Sequence, residues 1–275
     1  MLNKLMILLL IPILFFSACN RRDDKLLNSY YARLDAIPQK AWDSLAQKKI
    51  FFGHRSVGQN IITGVEEVLG KYPAIRLNIR ETADPESFRQ PIFAHAGLGQ
   101  NKQPQTKIIG FKDLMEGGIG QNVDIAFFKF CFVDIDHTTD LQAVLNSYVA
   151  ALEPLRAQFP NTKIITFTVP LVSQPVVWLT RLKKLLGRLP WYETDHVQRD
   201  VFNEMLRARY KDSLFDLAAI ESRISATKAA SVLKGGKRYA ILRRDFTDDG
   251  GHLNSLGRQI VAIELLCYLA EIAGE

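Results

Sequence analysis

The feature that most constrains the fold is an alternation that starts at Lys49 and runs to the end of the chain. Ile50-Phe51-Phe52 is short and wholly apolar, as a buried strand would be, and Val57, Ile61, Val65 and Val68/Leu69 then recur at helical spacing. Residues 75–79 form a second strand-like run, and residues 83–106, rich in Gly, Gln and Pro, are expected to be a long loop. Residues 123–132 are apolar enough for a strand covered on both faces. Leu141, Val144, Leu145, Tyr148, Leu152 and Leu155 mark an amphipathic helix, and residues 163–169 the next strand. Val197, Val201, Met205 and Leu206 form one helical stripe, residues 214–217 a last short strand, and residues 256–272 a densely apolar final helix. Parallel strands need helical crossovers, so the expected fold class is α/β: a three-layer α/β/α sandwich around a mainly parallel, flavodoxin-like sheet. Its functional loops belong at the carboxyl ends of the strands.

The N-terminus does not take part in this pattern. Lys4 precedes an apolar run over residues 5–16, too short for a span of about twenty residues, and Phe16-Ser17-Ala18-Cys19 follows. Small residues before a cysteine at the end of such a run resemble the bacterial lipobox, in which the cysteine is acylated and becomes the new N-terminus. An uncleaved anchor and a plain secretory signal are the other readings. The expected organisation is a lipoprotein signal over 1–18, a tether and helix over 19–45, and one domain over 46–275 with an insertion at about 172–196. Cleavage before Cys19 removes one basic residue, Lys4, from the formal charge of +6 and leaves +5. That excess suits an anionic envelope surface or glycan and is too small to argue for nucleic acid. Cys131 and Cys267 sit in apolar segments and are expected to be buried thiols. No cysteine spacing suggests a metal site, and no metal or cofactor is expected.

Chemistry is expected at the first strand-to-helix turn, Gly53-His54-Arg55-Ser56-Val57-Gly58, where a tight turn exposes a side chain beside a helix N-terminus. Ser56 is either a nucleophile there or simply the helix N-cap, for which serine is also preferred. Near the other end, Asp249 and His252 lie three apart in a glycine-containing loop before the last helix. One short loop can thus present an imidazole and the carboxylate that orients it. Alone, an Asp-x-x-His pair is common; combined with a serine on the first turn it is far more specific.

In these blocks the sequence resembles the SGNH hydrolase superfamily, the GDSL-like esterases and lipases, from about Lys49 onward. The resemblance implies Ser56 as nucleophile, His252 as base and Asp249 as its partner. It also implies a glycine N–H for the oxyanion in His95-Ala96-Gly97-Leu98-Gly99-Gln100-Asn101, supplied by Gly97 or Gly99. Two departures stand out. The usual Gly-Asp-Ser is here Gly53-His54-Arg55-Ser56, and the Gly-x-Asn-Asp block falls on Cys131-Phe132-Val133-Asp134, without its asparagine. That side chain donates to the oxyanion in the family, and losing one such donor costs about a hundred- to a thousandfold in rate. His54, Asn101 and Gln100 are candidate substitutes.

Other features have plainer readings. Asp136, His137 and Asp140 are expected to serve loop structure and helix capping, with Asp134 bordering the site, since Thr139 replaces the glycine a calcium loop needs. His95 and His196 are expected to make local hydrogen bonds, and Gly117-Gly118-Ile119-Gly120 a turn. In the insertion, Trp178, Leu182, Leu185 and Leu189 share a helical face, Arg181, Lys183, Lys184 and Arg188 lie largely off it, and Trp191-Tyr192 follow. This basic amphipathic segment suits a lid, an aromatic platform for sugars, a lipid-facing surface or a solvated edge helix. The resulting expectation is an envelope lipoprotein esterase, lipid-anchored at Cys19, that removes an acyl group, with acetyl preferred, from a carbohydrate. Asn20 favours an outer-membrane address. A non-catalytic glycan- or lipid-binding lipoprotein and an O-acyltransferase are the alternatives.

Overall fold

The computed structural model describes residues 23–174 and 193–274. The signal over 1–18, the lipid attachment at Cys19 and the basic aromatic stretch from Trp178 to Tyr192 lie outside the described residues.

Two helices open the described chain, α1 over 23–35 and α2 (Gln39–Ala46). Then come β1 (Lys49–His54), α3 (Val57–Lys71), β2 (Ile79–Glu81), β3 (Ile92–Gly97), α4 (Pro104–Leu114), β4 (Ile125–Phe128) and α5 (Leu141–Gln158). The second half holds β5 (Lys163–Phe167), α6 (Glu193–Tyr210), β6 (Leu214–Phe215), α7 (Leu217–Ser222), β7 (Arg223–Ser225), β8 (Lys228–Ala229), β9 (Ser231–Lys234), β10 (Lys237–Ala240) and α8 (Ser255–Gly274). Six strands form one sheet in the order β2-β3-β1-β4-β5-β6, and every pairing in it is parallel. The chain leaves β1 in the middle and builds outward in both directions. The topological switch therefore falls at the carboxyl end of β1, where Ser56 lies.

Side-chain alternation along the strands assigns the two helical layers. Phe52, Phe93, Phe127 and Phe167 face one side, where α3 and α8 supply Ile61, Val65, Ile260 and Ile263. Phe51, Ala94 and Phe128 face the other, against Phe111 of α4, Tyr148 and Leu152 of α5 and Phe202 of α6. The final helix is apolar nearly all round because it is enclosed, packing against α2, α3 and α7.

Three local expectations are corrected. The strand expected over 75–79 begins only at Ile79, and Ile75 is buried in the core outside the ladder. The expected loop over 83–106 contains β3, a central strand paired with β1 from Lys49↔Ile92 to His54↔Gly97. Its apolar run Ile92-Phe93-Ala94 is cut short by His95, which hid it, and His95 is tolerated because it has a buried polar partner. The last strand ends at Phe215, and two antiparallel hairpins follow α7. The second, β9–β10, turns through Gly235 and Gly236 with φ of 56° and 80°, the paired positive values that a two-residue hairpin loop requires.

Candidate active site

Ser56 sits between β1 and α3 with φ 55° and ψ −112°. A non-glycine residue with positive φ is strained by about 1–3 kcal/mol, and such strain persists only where the surroundings fix it. The hydroxyl makes no capping bond to α3. Ser56 thus occupies the N-cap position without doing the work of a cap. Its Oγ lies 2.7 Å from His252 Nε2 instead.

His252 and Asp249 are held by a tight loop. Thr247 and Leu253 form an antiparallel bridge at its base, and Gly250 turns it with φ 102°. The Asp249 Oδ1 accepts from the backbone N–H groups of Gly251 and His252, both at 2.8 Å, while Oδ2 lies 2.6 Å from His252 Nδ1. Partial burial pushes the Asp249 carboxyl up, but the two backbone donors and the imidazole outweigh it and hold the pKa down to about 2. An ionised Asp249 requires the proton on Nδ1, which leaves Nε2 as the acceptor for the Ser56 hydroxyl. Two contacts seat the loop: Asn60 of α3 accepts the Leu253 N–H at 3.2 Å, and the Phe132 ring stands edge-on to His252 with centroids 5.7 Å apart. At Gly251 a β-carbon would lie 2.7 Å from the Phe132 ring, so a larger residue there would displace the ring that stands against His252.

The oxyanion candidates separate. Gly97 ends β3 directly beside His54, at the rim where Ser56 emerges, and the Arg55 guanidinium lies against it. Gly99 is left-handed, with φ 59°, and a β-carbon there would lie 2.7 Å from the Lys107 backbone; its carbonyl accepts from Arg55 Nε at 3.0 Å. Asn101 Oδ1 accepts from Lys107 Nζ at 3.2 Å, and the Gln100 N–H donates to Thr106. His54 is corrected as a substitute donor. It is buried beneath the turn, its Nε2 3.0 Å from His95 Nδ1, and burial first, then neighbouring Lys129, pulls its pKa down to about 3. A neutral imidazole packed against α3 at Gly58 serves the interior.

The remaining polar residues have structural partners. Asp134 is fully buried, pairs with Lys107, and accepts from the backbone N–H groups of Cys131 and Lys102, so it ties the 98–107 loop to the end of β4. Asp140 caps α5 through the Ala143 N–H, Asp136 accepts from Thr138 and Thr139, and His137 contacts Asp195 at 2.9 Å. His196 is buried with its pKa pulled down to about 4 by burial, and its Nδ1 has no hydrogen-bond partner among the described residues. Cys131 and Cys267 are buried free thiols. Three contributors went unnoticed in the sequence: Asn60, Phe132 and, above all, Lys129. Lys129 is a charged residue inside the apolar run 123–132, directly after β4, a signal in itself, because a buried ammonium demands acceptors.

No family model matches the sequence, and no curated protein matches it. Solved structures do. A candidate platelet activating factor protein from Streptococcus pneumonia superposes with a TM-score of 0.50 at 14% identity, covering 90% of this chain and 97% of that one. A candidate GDSL-like lipase from Parabacteroides merdae gives 0.45 at 14% identity, covering 82% and 94%. The periplasmic domain of a lipopolysaccharide acetyltransferase from Salmonella ser. Paratyphi A gives 0.40 at 10% identity, covering 78% and 80%. At these identities the likeness speaks to fold alone. With a parallel six-stranded sheet between two helical layers, the chain has the fold of the SGNH-like hydrolases.

Proposed function

We propose that the protein is a serine esterase that removes acetyl or other short acyl groups from a carbohydrate of the bacterial envelope, to which a lipid on Cys19 anchors it. The observation that supports the chemistry is the continuous relay from Asp249 through His252 to a strained Ser56 whose hydroxyl caps nothing. In the forward step Ser56 Oγ attacks the ester carbonyl carbon while His252 Nε2 takes the hydroxyl proton. The tetrahedral intermediate collapses, the C–O bond to the sugar breaks, and His252 returns the proton to the leaving oxygen. Water repeats the sequence on the acyl-enzyme and releases the carboxylic acid. The Ser56 N–H lies at the N-terminus of α3, where developing negative charge is stabilised.

The carbohydrate and the anchor rest on the sequence: a net charge of +5 after cleavage, and the Ser17-Ala18-Cys19 boundary. The test is acetate release from acetylated envelope polysaccharide by the mature chain. Wild type should release acetate and Ser56→Ala should not. Acetate appearing on a sugar acceptor instead of in solution would replace hydrolysis with acyl transfer, and unchanged release by Ser56→Ala would overturn the reading. Expressed in a bacterium, the protein should partition into detergent, and Cys19→Ala should abolish that partitioning.

A further inference from the structure

Lys129 lies at the end of β4, directly below the Ser56 turn, and is 1% exposed. Its Nζ donates to the Arg55 carbonyl at 3.0 Å and to the Phe130 carbonyl at 3.1 Å. The same Arg55 oxygen also accepts the Gly58 N–H at 3.1 Å and faces the Cys131 thiol at 3.5 Å. This carbonyl belongs to the Arg55–Ser56 peptide, whose other end is the Ser56 N–H. No acceptor for that N–H is found among the described residues. A trans peptide points its C=O and its N–H in opposite directions, so a carbonyl anchored in the interior aims the N–H outward toward the reaction.

We infer that Lys129 is a positioning residue of the oxyanion site, acting through the Arg55–Ser56 peptide: by holding the carbonyl end it orients the Ser56 N–H and strengthens it as a donor. The inference rests on the esterase reading above. Hydrogen bonds in series polarise one another, and a charged donor on a C=O draws electrons from the N–H of the same amide. Burial, with Lys107 nearby, lowers the pKa of Lys129, and the Cys131 thiol and the Asp134 carboxyl oppose that shift. The geometry also explains how a site without the side-chain amide expected at Cys131-Phe132-Val133-Asp134 retains a competent donor. The strained backbone of Ser56 has its anchor in the same contact.

The test compares Lys129→Met and Lys129→Gln with wild type on a matched pair of substrates, an aryl ester and its thionoester, with thermal unfolding followed alongside. Sulfur accepts hydrogen bonds poorly, so weakening an oxyanion donor slows the ester more than the thionoester. A support that merely keeps the turn folded would slow both equally. The inference predicts a fall in kcat on the ester of about 10- to 100-fold, less than loss of a direct donor, an unchanged KM, and a narrowed ester-to-thionoester ratio. Lys129→Gln keeps a donor without the charge and carries the test if Lys129→Met does not fold. Wild-type turnover with an unaltered ratio in the folded variant would overturn the Lys129 inference alone. Absence of ester turnover in wild type would overturn the esterase reading and this inference with it.

Discussion

Gly64→Ala should injure catalysis from eight residues away. Gly64 lies on α3 where that helix crosses α8, and a β-carbon there would sit 2.3 Å from the Arg258 carbonyl oxygen and 2.7 Å from its carbon. Both are backbone atoms of the first turn of α8, and neither can rotate aside. Ordinary contact begins at 3.4 Å, so α3 and α8 have to part by about 1 Å. Ser56 precedes the first residue of α3, and His252 lies three residues before α8. The two helices therefore carry the two halves of the 2.7 Å Ser56–His252 bond, and a 1 Å separation takes it past about 3.5 Å, where it is no longer a hydrogen bond. Overpacking costs about 1–3 kcal/mol, and the better helix propensity of alanine returns up to about 1 kcal/mol. The expected net loss, up to about 2 kcal/mol, lowers Tm by as much as several degrees, at about 2–4 °C per kcal/mol for a chain of this size. Misplacing the reacting groups by 1 Å should cost up to about 100-fold in kcat. The assay pairs thermal unfolding with turnover of an aryl ester. Gly70→Ala, on the same helix with nothing within 4 Å of its β-carbon, should keep both stability and rate. A Gly64→Ala protein with wild-type Tm and wild-type kcat would refute the proposed coupling.

Further predictions concern charge. Asp249→Asn should lower kcat by about 10⁴-fold and Ser56→Ala by about 10⁶-fold, since an amide can hold the imidazole in the wrong tautomer but leaves the nucleophile in place; equal rates for wild type and Asp249→Asn would remove Asp249 from the relay. With its pKa held at about 2, Asp249 remains ionised through mildly acidic conditions. His54 should make the fold acid-sensitive. The unfolded chain binds a proton there near pH 6.5 and the folded chain refuses it until about pH 3, so stability falls as pH drops through that window, by about 1.4 kcal/mol per pH unit. Urea denaturation of wild type and His54→Asn at pH 7, 6 and 5 isolates this slope from that of Glu221, whose carboxyl burial raises to about 8 and whose slope has the opposite sign. Identical slopes in the two proteins would contradict a buried neutral His54.

What was legible in the sequence was largely local. The layers could be read because β1, β4 and α8 are dense apolar runs, while α3 and α5 carry a helical periodicity. β3 could not, because three apolar residues followed by His95 look like loop until His54 is known to lie 3.0 Å away on the next strand. Asp249 and His252 were readable as a pair because one loop of fixed length places both. Ser56 was ambiguous, since serine serves caps and nucleophiles alike, and only its positive φ and its missing capping bond separate the two. Lys129, a charge in the apolar run 123–132, passed unnoticed because its partner, the Arg55 carbonyl, is 74 residues away in the chain and is a backbone atom that no residue pattern marks. His54 fell on the wrong side for the same reason. Strand parity decides whether the residue before a turn faces substrate or core, and the register with β3 turns this one inward.

In the proposed reaction Ser56 is a nucleophile activated by His252. Reaction with a fluorophosphonate, followed by proteolysis and mass spectrometry, tests it most directly, because the reagent phosphonylates only a serine whose proton a base removes. One adduct is expected, on the peptide containing Ser56, formed rapidly in wild type, absent in Ser56→Ala and slowed by orders of magnitude in His252→Ala. An adduct elsewhere, no adduct in wild type, or equal labelling of wild type and His252→Ala would contradict it.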